Sequence, residues 1–348
     1  MKRIGIDARL INQTGVGVYI RNLLYCLAEL DTPQFEFYIY TLQADIGLVP
    51  KHTKFTLRTT SARWHGFAEQ TTFLFQLLRD GLDLMHFTYF SWPIAYFRPF
   101  VATVHDLTLM THETGRLSTQ HPLVYQLKRM VFRVVFSSQI VRARALMVPT
   151  KAIAKALKDR FGRDAEAVHE GINRELLFAL PEATEALQNE SFLLYVGNCY
   201  PHKNIQKLLD AAHGMKLVMV GPQNSFSEGY QKLHPEVTWF FHLSNARLRW
   251  LYEHAQALVN PSLAEGFGLP VVEALAFGCP VVCSDIPVFH EVTEEKATFF
   301  DPTSVEDIRS KLLQVIKRIP TTPAPFVGTF KAMAAKTLHI YQLALAVR

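Results

Sequence analysis

Cysteine is scarce in this chain: Cys26, Cys199, Cys279 and Cys283 are the whole set among 348 residues. None forms a Cys-x-x-Cys pair and no histidine cluster completes a zinc pattern, so a metal ribbon or dithiol redox site is not expected. Such cysteines read as buried, reduced thiols in a reducing cytoplasm. The opening Met1-Lys2-Arg3 runs straight into Ile4-Gly5-Ile6, without the apolar stretch of a secretory signal. That argues for a cytoplasmic setting and against a periplasmic sugar-binding protein. No window reaches the length and apolarity of a membrane-spanning helix. A large charge of one sign is also missing. The formal net charge is +5, far from the basic extreme of dedicated nucleic-acid binders, so no nucleic-acid partner is expected. No low-complexity tract or short-period repeat appears.

What the chain has is apolar mass, 49% of its residues, enough for two buried cores. The length points to two domains. Strand and helix signals alternate throughout. Arg3 to Ile6, Phe35 to Leu42, Lys54 to Thr59, Leu82 to Phe87, Phe100 to Val104 and Leu146 to Pro149 read as strands. Helices are predicted from Tyr19 to Leu30, Gln70 to Leu78, Val124 to Arg144 and Ala152 to Phe161. The second half repeats this grammar, with strands at Phe192 to Gly197, Lys216 to Gly221, Ala257 to Val259 and Val281 to Cys283. Such alternation predicts two parallel, doubly wound α/β sheets. Pro181 to Ser191, polar and acidic, is the linker candidate. Pro320 to Pro325 is proline-rich and leads to a last helix, Phe330 to Ala346.

Four segments can carry chemistry. Glu265 and Glu273 stand eight positions apart around Gly266-Phe267-Gly268-Leu269-Pro270. This is a turn opening a helix in which Pro270 suits the first turn. Gly266 and Gly268 permit close backbone approach to a ligand, and free N–H groups at the helix start favour a phosphate. Two carboxylate acceptors suit sugar hydroxyls. Spacing alone leaves open a plain βα turn with solvated glutamates. Gly15-Val16-Gly17 lacks the third glycine of a dinucleotide fingerprint, and either a ligand loop or a helix-entry loop fits it. Thr103-Val104-His105-Asp106 ends a strand, where His105 could donate to a sugar hydroxyl with Asp106 orienting it or nearby backbone; a strand-capping pair is the alternative. Lys203, in Gly197-Asn198-Cys199-Tyr200-Pro201-His202-Lys203-Asn204, precedes a helix. It reads either as a phosphate contact or as a solvated lysine. Lys128, Arg129, Arg133, Arg142 and Arg144 along an apolar helix read either as a contact for anionic lipid or as a solvated face.

In order along the chain, these segments resemble the family 4 retaining glycosyltransferases of GT-B architecture. The resemblance also covers Val218-Met219-Val220-Gly221, Ser284-Asp285, Glu291-Val292 and Asp301-Pro302. It implies two Rossmann-like domains with a cleft between them: residues 1–170 plus a returning helix 329–348 on the acceptor side, and residues 171–328 on the nucleotide-sugar side. It implies that Glu265 contacts the donor sugar and Glu273 the ribose. The backbone of Gly266, Phe267, Gly268 and Leu269 meets sugar and diphosphate. Lys203 neutralises the diphosphate, His105 bonds the donor sugar, and Gly15 and Gly17 lie near phosphates and acceptor. Many members carry arginines where Asn198 and His202 stand here. The His-Lys-Asn form resembles bacterial mannosyltransferases of surface polysaccharide assembly, and it leaves Lys203 as the fixed side-chain cation, with His202 assisting when protonated.

The implied activity is transfer of a hexose, mannose first, from a nucleotide diphosphate sugar to an acceptor hydroxyl with retention. No cofactor and no metal are expected, since no Asp-x-Asp site is apparent. The implied partners are a nucleotide sugar and a sugar or lipid-linked glycan, with peripheral contact at the inner face of the membrane. Two other classes remain open on sequence: a non-catalytic nucleotide-sugar-binding subunit and a sugar-nucleotide epimerase.

Overall fold

The computed structural model of the protein describes residues 1–111, 122–316 and 329–346. The chain divides into two compact units. Of the described residues, 1–110, 122–171 and 329–346 form the first, and 172–316 the second. The division falls at Gly171, so the polar stretch from Pro181 to Ser191 lies inside the second unit and does not link the two. It holds a 3-10 turn over Glu185–Leu187 whose Leu187 is buried. The proline-rich segment from Pro320 to Pro325 lies outside the described residues.

Among the described residues, the first unit carries a parallel sheet ordered β3-β2-β1-β4-β5-β6-β7. Its strands are β1 Lys2–Asp7, β2 Phe35–Leu42, β3 Phe55–Thr60, β4 Leu84–Phe87, β5 Phe100–Thr103, β6 Ala145–Val148 and β7 Glu166–Ala167. The second unit carries a parallel sheet ordered β10-β9-β8-β11-β12-β13. There the strands are β8 Leu193–Val196, β9 Leu217–Val220, β10 Thr238–Phe240, β11 Ala257–Asn260, β12 Val281–Ser284 and β13 Thr298–Phe300. Central strands such as β4, β5, β9, β11 and β12 are buried along their whole length. This is why they read as unbroken apolar runs: helices cover both faces of a parallel sheet.

Each sheet has one place where strand order reverses, between β1 and β4 in the first and between β8 and β11 in the second. Ligands bind outside the carboxyl ends of the strands at such points. The second core gathers Leu193, Tyr195, Ile205, Leu208, Leu217, Met219, Val259, Val282, Ile308 and Leu312 beneath it.

One predicted helix differs. The segment expected as Gln70 to Leu78 begins as a π-turn over Glu69–Phe73 and turns α-helical only over Leu74–Asp80. Glu69 is pulled inward there: it accepts from Arg9 Nη2 at 2.7 Å and from the Ser91 hydroxyl. Three short elements, β7, helix Ser225–Leu233 and helix Pro287–Thr293, were not anticipated from the sequence.

Candidate active site

In the second unit the loops leaving β8 and β11 flank the reversal point, and they bring Lys203 and Glu265 together. After β8 the chain makes a 3-10 turn over Pro201–Lys203, passes Asn204 at φ 56° and enters helix Ile205–Ala211. The Asn204 amide donates to the Pro302 carbonyl at 2.8 Å, which pins this turn. Lys203 Nζ donates to Glu265 Oε1 at 2.5 Å, with the two side chains only 15% and 12% exposed. The loops are also tied through their backbones, because Leu263 N donates to the His202 carbonyl at 2.8 Å. Ser262 Oγ stands 2.8 Å from Glu265 Oε1 and 2.6 Å from Asn260 Oδ1. Its single proton serves one of them at a time. Burial pushes the Glu265 carboxyl up. The Lys203 charge and hydrogen bond, the Ser262 contact and the His202 charge together outweigh this and hold it below the usual carboxylate range. Asn198 points into its own loop, where Oδ1 accepts from Tyr200 N at 3.3 Å and its carbonyl accepts from Tyr195 Oη at 2.6 Å.

Gly268, at φ 85°, caps helix Leu269–Ala276, which has Pro270 in its first turn. A Cβ on Gly268 would come within 2.7 Å of Phe289 Cε1, so the site excludes a side chain twice over, by conformation and by space. Gly266 and Phe267 are buried in the same turn. Glu273 lies inside this helix, nearly buried, and Tyr252 Oη donates to its Oε2 at 2.9 Å. Burial drives its carboxyl up to about 7 despite the tyrosine hydrogen bond, which acts the other way. The two glutamates therefore differ in kind: Glu265 is held as a carboxylate by a cation, while Glu273 sits close to its protonation midpoint at neutral pH.

In the first unit His105 follows β5. Its Nε2 lies 2.9 Å from the Thr88 carbonyl oxygen. A carbonyl only accepts, so Nε2 carries the proton. Nδ1 faces Glu170 Oε1 at 3.4 Å, and the Tyr19 ring meets the imidazole edge-on with centroids 4.8 Å apart. Of the two partners expected for Asp106, His105 or nearby backbone, the structure shows the backbone: Asp106 Oδ1 accepts from Thr108 N at 2.7 Å. Thr88 and Glu170 flank the imidazole instead. Gly15, exposed at φ 67°, precedes helix Val16–Glu29. Gly17 is buried, and a Cβ there would stand 2.6 Å from the Ile11 carbonyl oxygen, so its close approach is to the protein's own backbone.

The family model described as Glycosyltransferase Family 4 matches residues 13–176, and that described as Glycosyl transferases group 1 matches residues 179–321. The chain belongs to glycosyltransferase family 4. The O-antigen chain mannosyltransferase RfbU of Salmonella typhimurium is 26% identical over 240 residues, 64% of this chain and 66% of that protein. O-antigen chain mannosyltransferase B of Escherichia coli is 31% identical over 142 residues, 37% of each chain. In both cases the alignment spans less than two thirds of the relative's length. The sucrose-phosphate synthase of Thermosynechococcus elongatus matches in structure with a TM-score of 0.75 at 18% identity, covering 100% of both chains. At that identity the likeness shows the fold, which is GT-B.

Several groups of this family 4 chain gave no sequence signal. Glu170 follows a two-residue strand too short to register, and Tyr252 sits on a helix remote in sequence from Glu273. Ser262 lay within the recognised motif without an assigned contact. The Asp7–Arg9–Glu69 cluster is fully buried: Arg9 Nη2 donates to Asp7 Oδ2 and to Glu69 Oε1, both at 2.7 Å. An Asp-x-Arg pair at the end of β1 was its available signal. The basic set along helix Pro122–Arg142 also divides. The Arg142 guanidinium donates to the Ile94 and Tyr96 carbonyls and lies over the Trp92 ring, and Arg144 donates to the Ala344 carbonyl at 2.8 Å. Those two arginines hold the fold together. Among the described residues, no three His, Cys, Asp or Glu side chains gather as a metal site, and no helix is long and apolar enough to cross a membrane.

Proposed function

We propose that this chain is a retaining mannosyltransferase. It would move mannose from GDP-mannose to a hydroxyl of a sugar or lipid-linked glycan during surface polysaccharide assembly, without a metal ion or cofactor. The Lys203–Glu265 pair at the β8/β11 reversal point carries this reading. Family membership and the mannosyltransferase names of the relatives support it. In the proposed reaction the bond between the sugar and the β-phosphate breaks while charge builds on the leaving diphosphate. Lys203 and the start of helix Leu269–Ala276 meet that charge, so catalysis is largely electrostatic. The donor exchanges partners with the protein: phosphate takes Lys203, and sugar hydroxyls take the Glu265 oxygen that Lys203 releases. Glu273 accepts from the ribose hydroxyls. His105 contributes a hydrogen bond to the donor sugar.

Helix Pro122–Arg142 supports peripheral membrane contact at the inner face. Leu127, Met130, Val131 and Val134 are 57%, 58%, 52% and 56% exposed, and their spacing puts them on one face. Arg133 is exposed beside them. Sedimentation with vesicles containing phosphatidylglycerol, lost in Met130→Glu, tests this.

The activity test incubates the protein with GDP-mannose and other nucleotide sugars, with and without EDTA, and reads the product's anomeric configuration. Retained configuration and EDTA-insensitive turnover are expected. Activity abolished by EDTA and restored by magnesium or manganese would sink the metal-free reading, and an inverted product the retaining one. No transfer from any donor would sink the enzyme reading itself.

A further inference from the structure

Glu170 stands three residues beyond β7 at the carboxyl side of the first sheet, 5% exposed. Its one close polar contact among the described residues is His105 Nδ1 at 3.4 Å, beyond hydrogen-bond length. No described group donates a hydrogen bond to either carboxyl oxygen. The side chain keeps 6% exposure, and neither oxygen is among the fully buried side-chain atoms that lack a partner, so the carboxyl presents an edge that no described donor occupies. The neighbouring polar groups are engaged elsewhere. Tyr19 Oη pairs with Thr103 Oγ1 at 3.0 Å, and Thr88 presents its carbonyl to His105 Nε2. Thr103 Oγ1 is in turn held by His86 Nε2 at 2.8 Å. A ligand hydroxyl at that edge would meet a carboxylate oxygen that no described donor engages. His105 and Glu170 side by side, near two aromatic rings, Tyr19 and Tyr89, form a polar pair against apolar faces. That combination suits a hexose.

We propose that Glu170 binds a hexose hydroxyl beside His105, as an acceptor supplied by the first unit. The proposal rests on the sugar-transfer reading above. No role for Glu170 follows from the motifs that identify the family.

Isothermal titration with GDP, GDP-mannose and methyl α-mannoside tests it on the full-length protein and on Glu170→Gln and Glu170→Ala. In the wild type GDP-mannose should bind tighter than GDP. Glu170→Ala should erase most of that difference, roughly tenfold or more for a lost hydrogen bond to a buried carboxylate, and leave GDP affinity unchanged. Glu170→Gln, which keeps one acceptor oxygen, should restore part of it. If the loss falls instead on methyl α-mannoside, the bound hexose is the acceptor, which also supports the role of Glu170. Unchanged binding of both sugar probes overturns the proposal. An equal loss of GDP and GDP-mannose affinity overturns it too, because the effect is then not on the sugar. Wild-type protein that binds none of the three probes removes the sugar-transfer reading and this proposal with it. Normal probe binding without turnover by any donor removes only the former.

Discussion

At the scale of single residues, Lys203 and Glu265 each stabilise the other and also await a ligand. Those two roles separate in variants. Lys203→Met leaves Glu265 nearly buried without its cation, and Glu265→Gln does the converse. Each single change should cost about 1–3 kcal/mol, less than a fully buried pair because both side chains keep some solvent contact. The double variant should recover most of that loss, while all three should lose transfer by roughly a hundredfold or more. Thermal melts beside initial rates check this, and a double variant as unstable as the sum of the singles would refute the coupling. Glu273 gives a different signature. Its folded value near 7 lies above the ordinary carboxylate range, so the folded state holds a proton that the unfolded chain has already lost. Stability from this group is full at acid pH and falls as pH rises toward and through 7, by roughly 3 kcal/mol over that window. Glu273→Gln should flatten that fall. Ribose hydroxyls favour the ionised acceptor, so GDP affinity should rise between about pH 6 and about pH 8, with proton release, and Glu273→Gln should abolish the rise. Titration in buffers of different ionisation enthalpy reads both.

At the scale of elements, the turn from Glu265 to Pro270 shows what the sequence made legible. Glycine beside proline at a helix start, after a buried strand, has few other solutions. Likewise the runs at β2 and β11 could be bounded almost to the residue because strands of a covered parallel sheet are largely apolar. What could not be read are contacts closed by tertiary structure. The Glu69 π-turn forms because buried Arg9, sixty positions away, needs a second carboxylate. Adjacency could not decide whether Asp106 serves His105 or nearby backbone; adjacent side chains at a strand end point apart, and the backbone takes it. Gly268 was legible as flexible, but not as the seat of Phe289. Gly268→Ala should cost about 1–2 kcal/mol for left-handed backbone, plus the displacement of Phe289. Adding Phe289→Ala should remove the steric part of the strain and retain the conformational part. GDP affinity should fall in both, since the helix start moves. Equal melting temperatures for wild type and Gly268→Ala would show that the turn tolerates a side chain and that this account of it is wrong.

At the scale of the whole molecule, the chain leaves the first unit at Gly171, builds the second, and returns at Thr329. Helix Phe330–Ala346 then completes the first core: Phe330, Met333, Ile340 and Tyr341 are all buried. Tyr341 Oη meets His86 Nδ1 at 2.6 Å, deep enough that burial and the neighbouring His105 push the imidazole down to about 3. A neutral His86 therefore depends on Tyr341 and Thr103 for its hydrogen bonds. Everything proposed to grip the nucleotide, Lys203, Glu265 and Glu273, belongs instead to the second unit. Each unit has its own sheet and its own core, so heat should unfold them in separable steps. Tyr341→Ala should lower the step of the first unit alone, by about 3–5 kcal/mol for the lost ring. GDP should raise the step of the second alone, by about 2.7 kcal/mol at a hundredfold excess over its dissociation constant. Scanning calorimetry of both proteins with and without GDP measures all four combinations. Independent shifts mean that the returning helix serves the first unit's stability and leaves nucleotide binding untouched. A single transition moved by both perturbations would mean that the units unfold as one body, so that a substitution beneath His86 weakens the grip on a nucleotide bound by residues of the other sheet.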